Sequence, residues 1–146
     1  MRCYLDYNAS APMIKEVKDY IVEVLNKTGN PSSIHSSGRK IKKILEESRK
    51  NIANLINSDE KNIIFTSGAT EANNLALNGY NIKIISSVEH ESIRNQKNTV
   101  KVRVNKWGYI DLEMLEEKLK KFYLKKKVII SIMFANNETG IIQPVD

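Results

Sequence analysis

Cysteine and long apolar runs are the two features that this sequence has least of. One cysteine, Cys3, is present among 146 residues, so no disulfide can form within the chain and no thiolate cluster can bind a metal. No apolar stretch is long enough to span a bilayer, and the first residues resemble neither a signal peptide nor an Arg-rich transit peptide. We therefore expect a cytoplasmic protein with a free thiol, no metal site and no membrane partner.

Acidic residues are also scarce relative to basic ones, 17 against 23, which gives a formal net charge of +6 and raises the question of nucleic acid. The basic residues crowd two segments, one with Arg39, Lys40, Lys42, Lys43, Arg49 and Lys50, the other with Lys118, Lys120, Lys121, Lys125, Lys126 and Lys127. Glu46, Glu47, Glu116 and Glu117 interrupt these segments, and no zinc spacing, helix-turn-helix signature or aromatic RNA-binding motif accompanies them. The pattern favours a solvated, lysine-rich surface and argues against a nucleic-acid partner.

The hydrophobic periodicity predicts an α/β fold. Helical spacing of apolar residues predicts four helices, at residues 13–27, 37–57, 70–78 and 112–122. Gly29 can adopt a left-handed backbone after the first helix, Ala72, Leu75 and Ala76 should face inward on the third, and Asp111 is a candidate N-cap of the fourth. Apolar or alternating runs predict four strands, at residues 63–66, 83–87, 100–104 and 128–134. The unbroken apolar run 128–134 predicts the central strand of a parallel sheet, buried on both faces, and the alternation in 100–104 predicts an outer strand. Alternation of the two element types predicts a mostly parallel sheet with helices on both faces.

A turn rich in small hydroxyl residues, at residues 66–70, joins the first strand to its helix. Gly68 can adopt a positive φ there, and the hydroxyls of Ser67 and Thr70 lie beside the unpaired N–H groups of the helix's first turn. An anion, above all a phosphate, would fit this place. The alternative is that Ser67 or Thr70 merely caps the helix.

Polar residues also follow two later strands. His90 follows the second strand, and residues 135–140 follow the apolar run, so both should converge with residues 67–70 at the carboxyl edge of the sheet. The alternatives are a surface histidine and an ordinary polar turn.

Five motifs then succeed one another along the whole chain: YLDYNASAP (4–12), GNPSSIH (29–35), FTSGATEANN (65–74), EH (89–90) and ANNETG (135–140). In this order they resemble the amino-terminal portion of NifS-type cysteine desulfurases, fold-type I pyridoxal 5'-phosphate (PLP) enzymes of the class V aminotransferase family. The resemblance implies an incomplete large domain, with an N-terminal segment and helix at 1–28 and the first half of the PLP-binding domain at 29–146. It also implies the family reaction, in which sulfur is removed from L-cysteine to give alanine and an enzyme-bound persulfide for iron-sulfur cluster assembly.

By the same resemblance, Ala69 and Thr70 would hold the PLP phosphate and His90 would stack on the pyridine ring. Asn137 would hydrogen-bond the phenolic oxygen of the ring near the substrate carboxylate, and residues 8–11 would line the substrate side. Family members usually carry threonine where this chain has Ser10 or Ala11, a departure that leaves the backbone role of the loop open.

The residues that complete the chemistry in the family lie beyond this sequence. No lysine follows Lys127, no earlier lysine has the family's Ser-x-His-Lys setting for the Schiff base, and Cys3 does not correspond to the sulfur-accepting cysteine. We expect a truncated protein that is inactive alone and binds PLP weakly or not at all. Its partner would be a complementary C-terminal chain or a full-length desulfurase subunit, since the family is homodimeric. The alternatives are one piece of a split PLP enzyme and a non-catalytic interaction protein that uses its basic helical surface.

The resemblance also affects the expected sheet. In the family the strand corresponding to 63–66 pairs with the last strand of the large domain, which this sequence does not contain. Apolar strand edges would then be exposed, and we expect the chain not to form a compact monomer by itself.

Overall fold

The computed structural model describes residues 3–122, 124 and 127–145, so the predicted basic residues Lys125 and Lys126 lie outside it. The helices are α1 (Lys15–Leu25), α2 (Ser36–Leu55), α3 (Ala69–Leu77), α4 (Glu91–Arg94) and α5 (Leu112–Phe122). The strands are β1 (Ile82–Ser86), β2 (Thr99–Val102) and β3 (Val128–Ser131). The chain divides into two compact units, Met1–Phe65 and Thr66–Asp146. None of the described helices is both long enough and apolar enough to cross a membrane.

The three strands form one parallel sheet in the order β2-β1-β3, which confirms the predicted α/β class. Ile84 in β1 pairs with Val100 on one side and with Ile130 on the other. The edge position of β2 confirms the predicted outer strand, but the prediction that the apolar run 128–134 is central was wrong. That run is a shorter edge strand, in which Ile130 is 41% exposed. The composition of a strand does not identify the strands that pair with it. Here β1, and not the apolar run, has a neighbouring strand on each side.

The core of the second unit lies between one face of the sheet and α5. Ile84, Val102 and Ile110 are buried together, and apolar residues of α5 pack against them. Asp111 starts α5 as predicted, because its Oδ1 accepts a hydrogen bond from the N–H of Met114 at 2.9 Å. Lys83 and its neighbour at i+2, Ile85, are buried on the opposite face, following the two-residue period of a strand. This packing fixes the carboxyl ends of β1 and β3, where the site residues follow.

The predicted strand at residues 63–66 is not a strand among the described residues. Ile63 has an extended backbone, with φ −91° and ψ 122°, but the segment pairs with no neighbouring strand. The segment is held instead by Arg49 of α2, whose guanidinium donates to the Ile63 carbonyl and lies 5.0 Å from the Phe65 ring centroid. An extended sequence needs a hydrogen-bonding partner before it becomes part of a sheet.

The helices of the first unit form as predicted, but much of their apolar surface is exposed. No residue of α1 is buried, and Leu55 at the end of α2 is 85% exposed. The expected positive φ of Gly29 after α1 was wrong, because Gly29 is not among the residues with left-handed backbone. Glycine is instead required at this position by close packing, because a Cβ at Gly29 would lie 2.6 Å from the carbonyl oxygen of Ser37.

Two local predictions for α3 also differ from the structure. Gly68 has φ 168°, an extended conformation that any residue adopts, and an added Cβ would meet no atom within 4 Å. The predicted inward face of Ala72, Leu75 and Ala76 was wrong as well, because Leu75 is 51% exposed while Leu77 is buried. A nine-residue helix has too few apolar positions for periodicity to select its buried side.

Candidate functional site

The amino-terminal end of α3 is open to a ligand. Gly68 is its N-cap and no side chain caps the helix there. The amide groups of the first turn, which begins at Ala69 and Thr70, therefore have no partner within the helix and carry its positive end. Thr70 is exposed at this position. The geometry suits an anion, and the alternative that Ser67 or Thr70 caps the helix is not what the structure contains.

Glu71 determines which groups of this turn are free. Its Oε2 accepts from both the N–H and the hydroxyl of Ser67, each at 2.7 Å. These two hydrogen bonds from Ser67 lower the pKa of the Glu71 carboxyl, so the side chain stays ionised. Ser67 is thus already bound to a carboxylate, and the donors left for a ligand are those at Ala69 and Thr70.

His90 follows β1 and is the N-cap of α4. Its Nδ1 accepts from the N–H of Ser92 at 3.1 Å and lies 2.8 Å from the hydroxyl of the same serine. That hydroxyl also accepts from Asn73 Nδ2 of α3 at 2.8 Å. The imidazole is exposed, and its orientation depends on a neighbour two residues away and on a second helix.

The loop after β3 is fixed by a buried amide. Asn136 is 6% exposed, and its Oδ1 accepts from the N–H groups of Glu138 and Thr139 at 3.0 and 2.8 Å. Its Nδ2 donates to the carbonyl of Val88, two residues before His90. The adjacent Asn137 is exposed, so one asparagine builds the loop while the other faces outward.

Glu89 forms a second link between the same two strand ends. It is 3% exposed, and its Oε1 accepts from the N–H of Met133. Burial raises the pKa of the Glu89 carboxyl, and the hydrogen bond from Met133 partly opposes that shift. The sequence pattern gave no signal for this residue beyond its position before His90.

Two cavities of the second unit bring together three of the four predicted cofactor residues. One cavity of about 390 Å³ is lined by both His90 and Asn137, and another of about 380 Å³ by both Thr70 and His90. His90 is common to the two cavities. Ala69 lines neither of them, and it is placed only by its position in the first turn of α3.

Two predicted segments lie in the first unit. In the loop at 8–11, the Ser10 hydroxyl lies 3.1 Å from that of Tyr4, whose ring packs edge-on against Tyr7 with centroids 5.6 Å apart. His35, of the second motif, is the N-cap of α2 and accepts from the N–H of Gly38 at 3.3 Å. Both motifs therefore have local structural roles within their own unit.

Comparison with known proteins identifies the family. The model of the family described as aminotransferase class-V matches residues 3–146. Cysteine desulfurase IscS 1 of Archaeoglobus fulgidus is 40% identical, with 97% of this chain covering 41% of that protein. Cysteine desulfurase IscS of Dictyoglomus turgidum is 38% identical, with 97% of this chain covering 39% of that protein.

Solved structures agree with the sequence comparison. The NifS-like protein from Rickettsia africae has a TM-score of 0.85 at 38% identity, over 96% of this chain and 41% of that one. SspA in complex with cysteine has a TM-score of 0.83 at 28% identity, over 97% of this chain and 44% of that one. The chain thus spans about two-fifths of the length of the relatives that it matches, in their amino-terminal part. With its parallel sheet, its turn at α3 and the motifs of its strand ends, the chain belongs to the aminotransferase class-V family and is similar over its whole length to cysteine desulfurases.

Proposed function

We propose that this chain is the cofactor-binding amino-terminal part of a cysteine desulfurase, and that Ala69, Thr70, His90 and Asn137 hold PLP. The position of His90, in one cavity with Thr70 and in another with Asn137, carries the proposal. These residues fit the chemical parts of the cofactor. The open end of α3 suits its phosphate, the exposed imidazole its planar ring, and the carboxamide of Asn137 its phenolic oxygen.

Each residue has a distinct task in this proposal. The amides at Ala69 and Thr70 and the Thr70 hydroxyl bind the phosphate, while His90 stacks on the ring and restricts its orientation. Asn137 donates a hydrogen bond from Nδ2 to the phenolic oxygen, on a loop fixed by Asn136. Bound PLP would supply the electron sink that allows the bond between carbon and sulfur of L-cysteine to break.

We further propose that these residues bind PLP reversibly and do not turn over cysteine without a lysine-bearing partner. That partner is a complementary chain or a full-length desulfurase subunit. The proposal includes the division into an N-terminal segment and helix at 1–28 and the first half of the PLP-binding domain at 29–146. The sequence supports this dependence, since no lysine of the chain has the expected Ser-x-His-Lys setting.

The test compares PLP binding to the chain with that to Thr70→Ala and to a control, Thr28→Ala, which removes an exposed hydroxyl from the first unit. Equilibrium dialysis should give weak, reversible binding that Thr70→Ala weakens by roughly 1 to 3 kcal/mol and Thr28→Ala leaves unchanged. Borohydride reduction with peptide mapping, alongside a sulfide assay with L-cysteine, should find no uniquely modified lysine and no turnover above that of free PLP. Equal affinity for all three chains would contradict the phosphate site, and turnover by the chain alone would contradict the need for a partner.

A further inference from the structure

A short chain of hydrogen bonds connects helix α3 to the imidazole of His90. Asn73 Nδ2 lies 2.8 Å from Ser92 Oγ, and Ser92 Oγ lies 2.8 Å from His90 Nδ1. The N–H of Ser92 lies 3.1 Å from the same nitrogen. The bond between Asn73 and Ser92 is half-buried and partly shielded from competing water, whereas the two bonds from Ser92 to His90 are exposed.

The chemistry of the three groups fixes the direction of these bonds. The amide nitrogen Nδ2 of Asn73 can only donate hydrogen bonds, so Ser92 Oγ accepts from it. The single hydroxyl hydrogen of Ser92 is then free to point at His90 Nδ1, which already accepts from the Ser92 N–H. A ring nitrogen that accepts cannot carry a proton, so the neutral imidazole carries its proton on Nε2.

We infer that Asn73 and Ser92 are positioning residues that orient the His90 ring and keep its proton on Nε2. This inference rests on the proposed cofactor role of His90 and identifies what prepares that residue for it. A ring held at one nitrogen keeps its face free for stacking and leaves Nε2–H as the donor available to a bound group. Neighbours that orient a functional histidine in this way are well known around metal ligands, and the same physics applies here.

The tautomer can be measured on the ligand-free chain. The sequence has two histidines, so labelling with ¹⁵N-histidine gives two sets of ring signals in a two-bond ¹H–¹⁵N spectrum. The spectrum is recorded at about pH 8.5, where an ordinary histidine with a pKa of about 6.5 is neutral. His35 serves as an internal reference, because it lies in the other unit and is bonded to Gly38. We expect His90 to show a protonated Nε2 and an unprotonated Nδ1, and the opposite assignment would overturn the inference.

The decisive variant is Asn73→Asp, which has nearly the same shape but replaces the donor by an acceptor. The carboxylate should accept the Ser92 hydroxyl hydrogen, so His90 Nδ1 loses the hydroxyl donor and keeps only the N–H of Ser92. The preference for the Nε2–H form should then weaken, and the Nδ1 signal should shift toward that of a protonated nitrogen. The signals of His35 should not move. Ser92→Ala removes the same donor directly, so adding Asn73→Asp to Ser92→Ala should cause no further change at His90. Unchanged His90 signals in Asn73→Asp, or a further change when Asn73→Asp is added to Ser92→Ala, would overturn the inference.

Adding PLP to the same labelled chain separates this inference from the proposed function. A ring-current shift confined to His90 supports the cofactor site, whereas no shift at any PLP concentration contradicts that site. The tautomer measurements need no cofactor, so they decide the positioning role of Asn73 and Ser92 in either event. A shift at His35 of the same size would indicate nonspecific binding and count against the proposed function.

Discussion

Replacing Glu89 by alanine tests how the ends of β1 and β3 are held together. The Glu89 side chain is buried and accepts a hydrogen bond from the N–H of Met133. Met133 lies in the segment after β3 that leads to Asn137. Alanine would leave that half-buried N–H without its acceptor. Without this hydrogen bond, the loop after β3 should open more often.

The size of the effect follows from two opposing contributions. An unsatisfied buried donor costs about 1 to 3 kcal/mol, which is roughly 5- to 150-fold in an opening equilibrium. Burial raises the pKa of the Glu89 carboxyl. Above that pKa the wild-type carboxylate is ionised and its burial costs desolvation free energy, and alanine removes this cost. The full loss should therefore be measured near pH 4, below the ordinary pKa of 4.5, and a smaller loss near pH 8.

Amide hydrogen exchange at Met133, compared with wild type at each pH, is the appropriate assay. Exchange in Glu89→Ala should be about 5- to 150-fold faster near pH 4. Glu89→Gln keeps an oxygen acceptor and should stay close to wild type, as should Glu91→Ala, whose exposed side chain pairs only loosely with Arg94 at 3.5 Å. If exchange at Met133 is unchanged in Glu89→Ala, or equally fast in Glu89→Gln, the reasoning about this hydrogen bond is wrong.

Three further predictions concern stability and assembly. Because the folded pKa of Glu89 lies above the ordinary 4.5, its contribution to stability is complete below 4.5 and is lost as the pH rises through the raised pKa. Glu89→Gln should therefore reduce this fall in the free energy of unfolding, measured by denaturant titrations from about pH 4 to 8. The substitution leaves unchanged the other charged or titratable groups that line the same cavity, which are His90, Glu91, Arg94 and Glu138. Gly38→Ala should lower the unfolding midpoint by an amount equivalent to about 1 to 3 kcal/mol, since its Cβ would lie 2.4 Å from the Ser33 carbonyl oxygen, and an unchanged midpoint would refute that packing. The purified chain should sediment as oligomers or aggregates because apolar residues such as Leu55 are exposed, and a single sharp monomer boundary would contradict this.

Local sequence patterns predicted the elements well because those patterns arise within each element. Helix α5 begins and ends where its apolar spacing and Asp111 indicated, and β1 and β2 lie within two residues of their predicted bounds. The comparisons confirm the family resemblance, and the structure places Thr70, His90 and Asn137 in its second unit. Their roles as ligands of PLP stay predictions.

What the sequence could not predict depends on contacts between distant segments. The central place of β1 and the failure of residues 63–66 to form a strand both depend on which strands pair. The links from Asn73 to Ser92 and from Glu89 to Met133 join residues 19 and 44 positions apart. No local hydrophobic period predicts such contacts. The Glu89-His90 motif marked Glu89 in the sequence but gave no indication of its partner, Met133.

The order β2-β1-β3 has a consequence for synthesis of the chain. Strand β1 leaves the ribosome with β2 soon behind it, but its second neighbour begins only at Val128. Roughly 40 residues separate the end of β1 from that point, which corresponds to several seconds at about 5–20 residues per second. During this interval one edge of β1, the most buried of the three strands, is unpaired in the nascent chain. A pause in translation after α5 would lengthen that exposure, and synonymous codons in this stretch could therefore alter the yield of folded protein without changing a single residue.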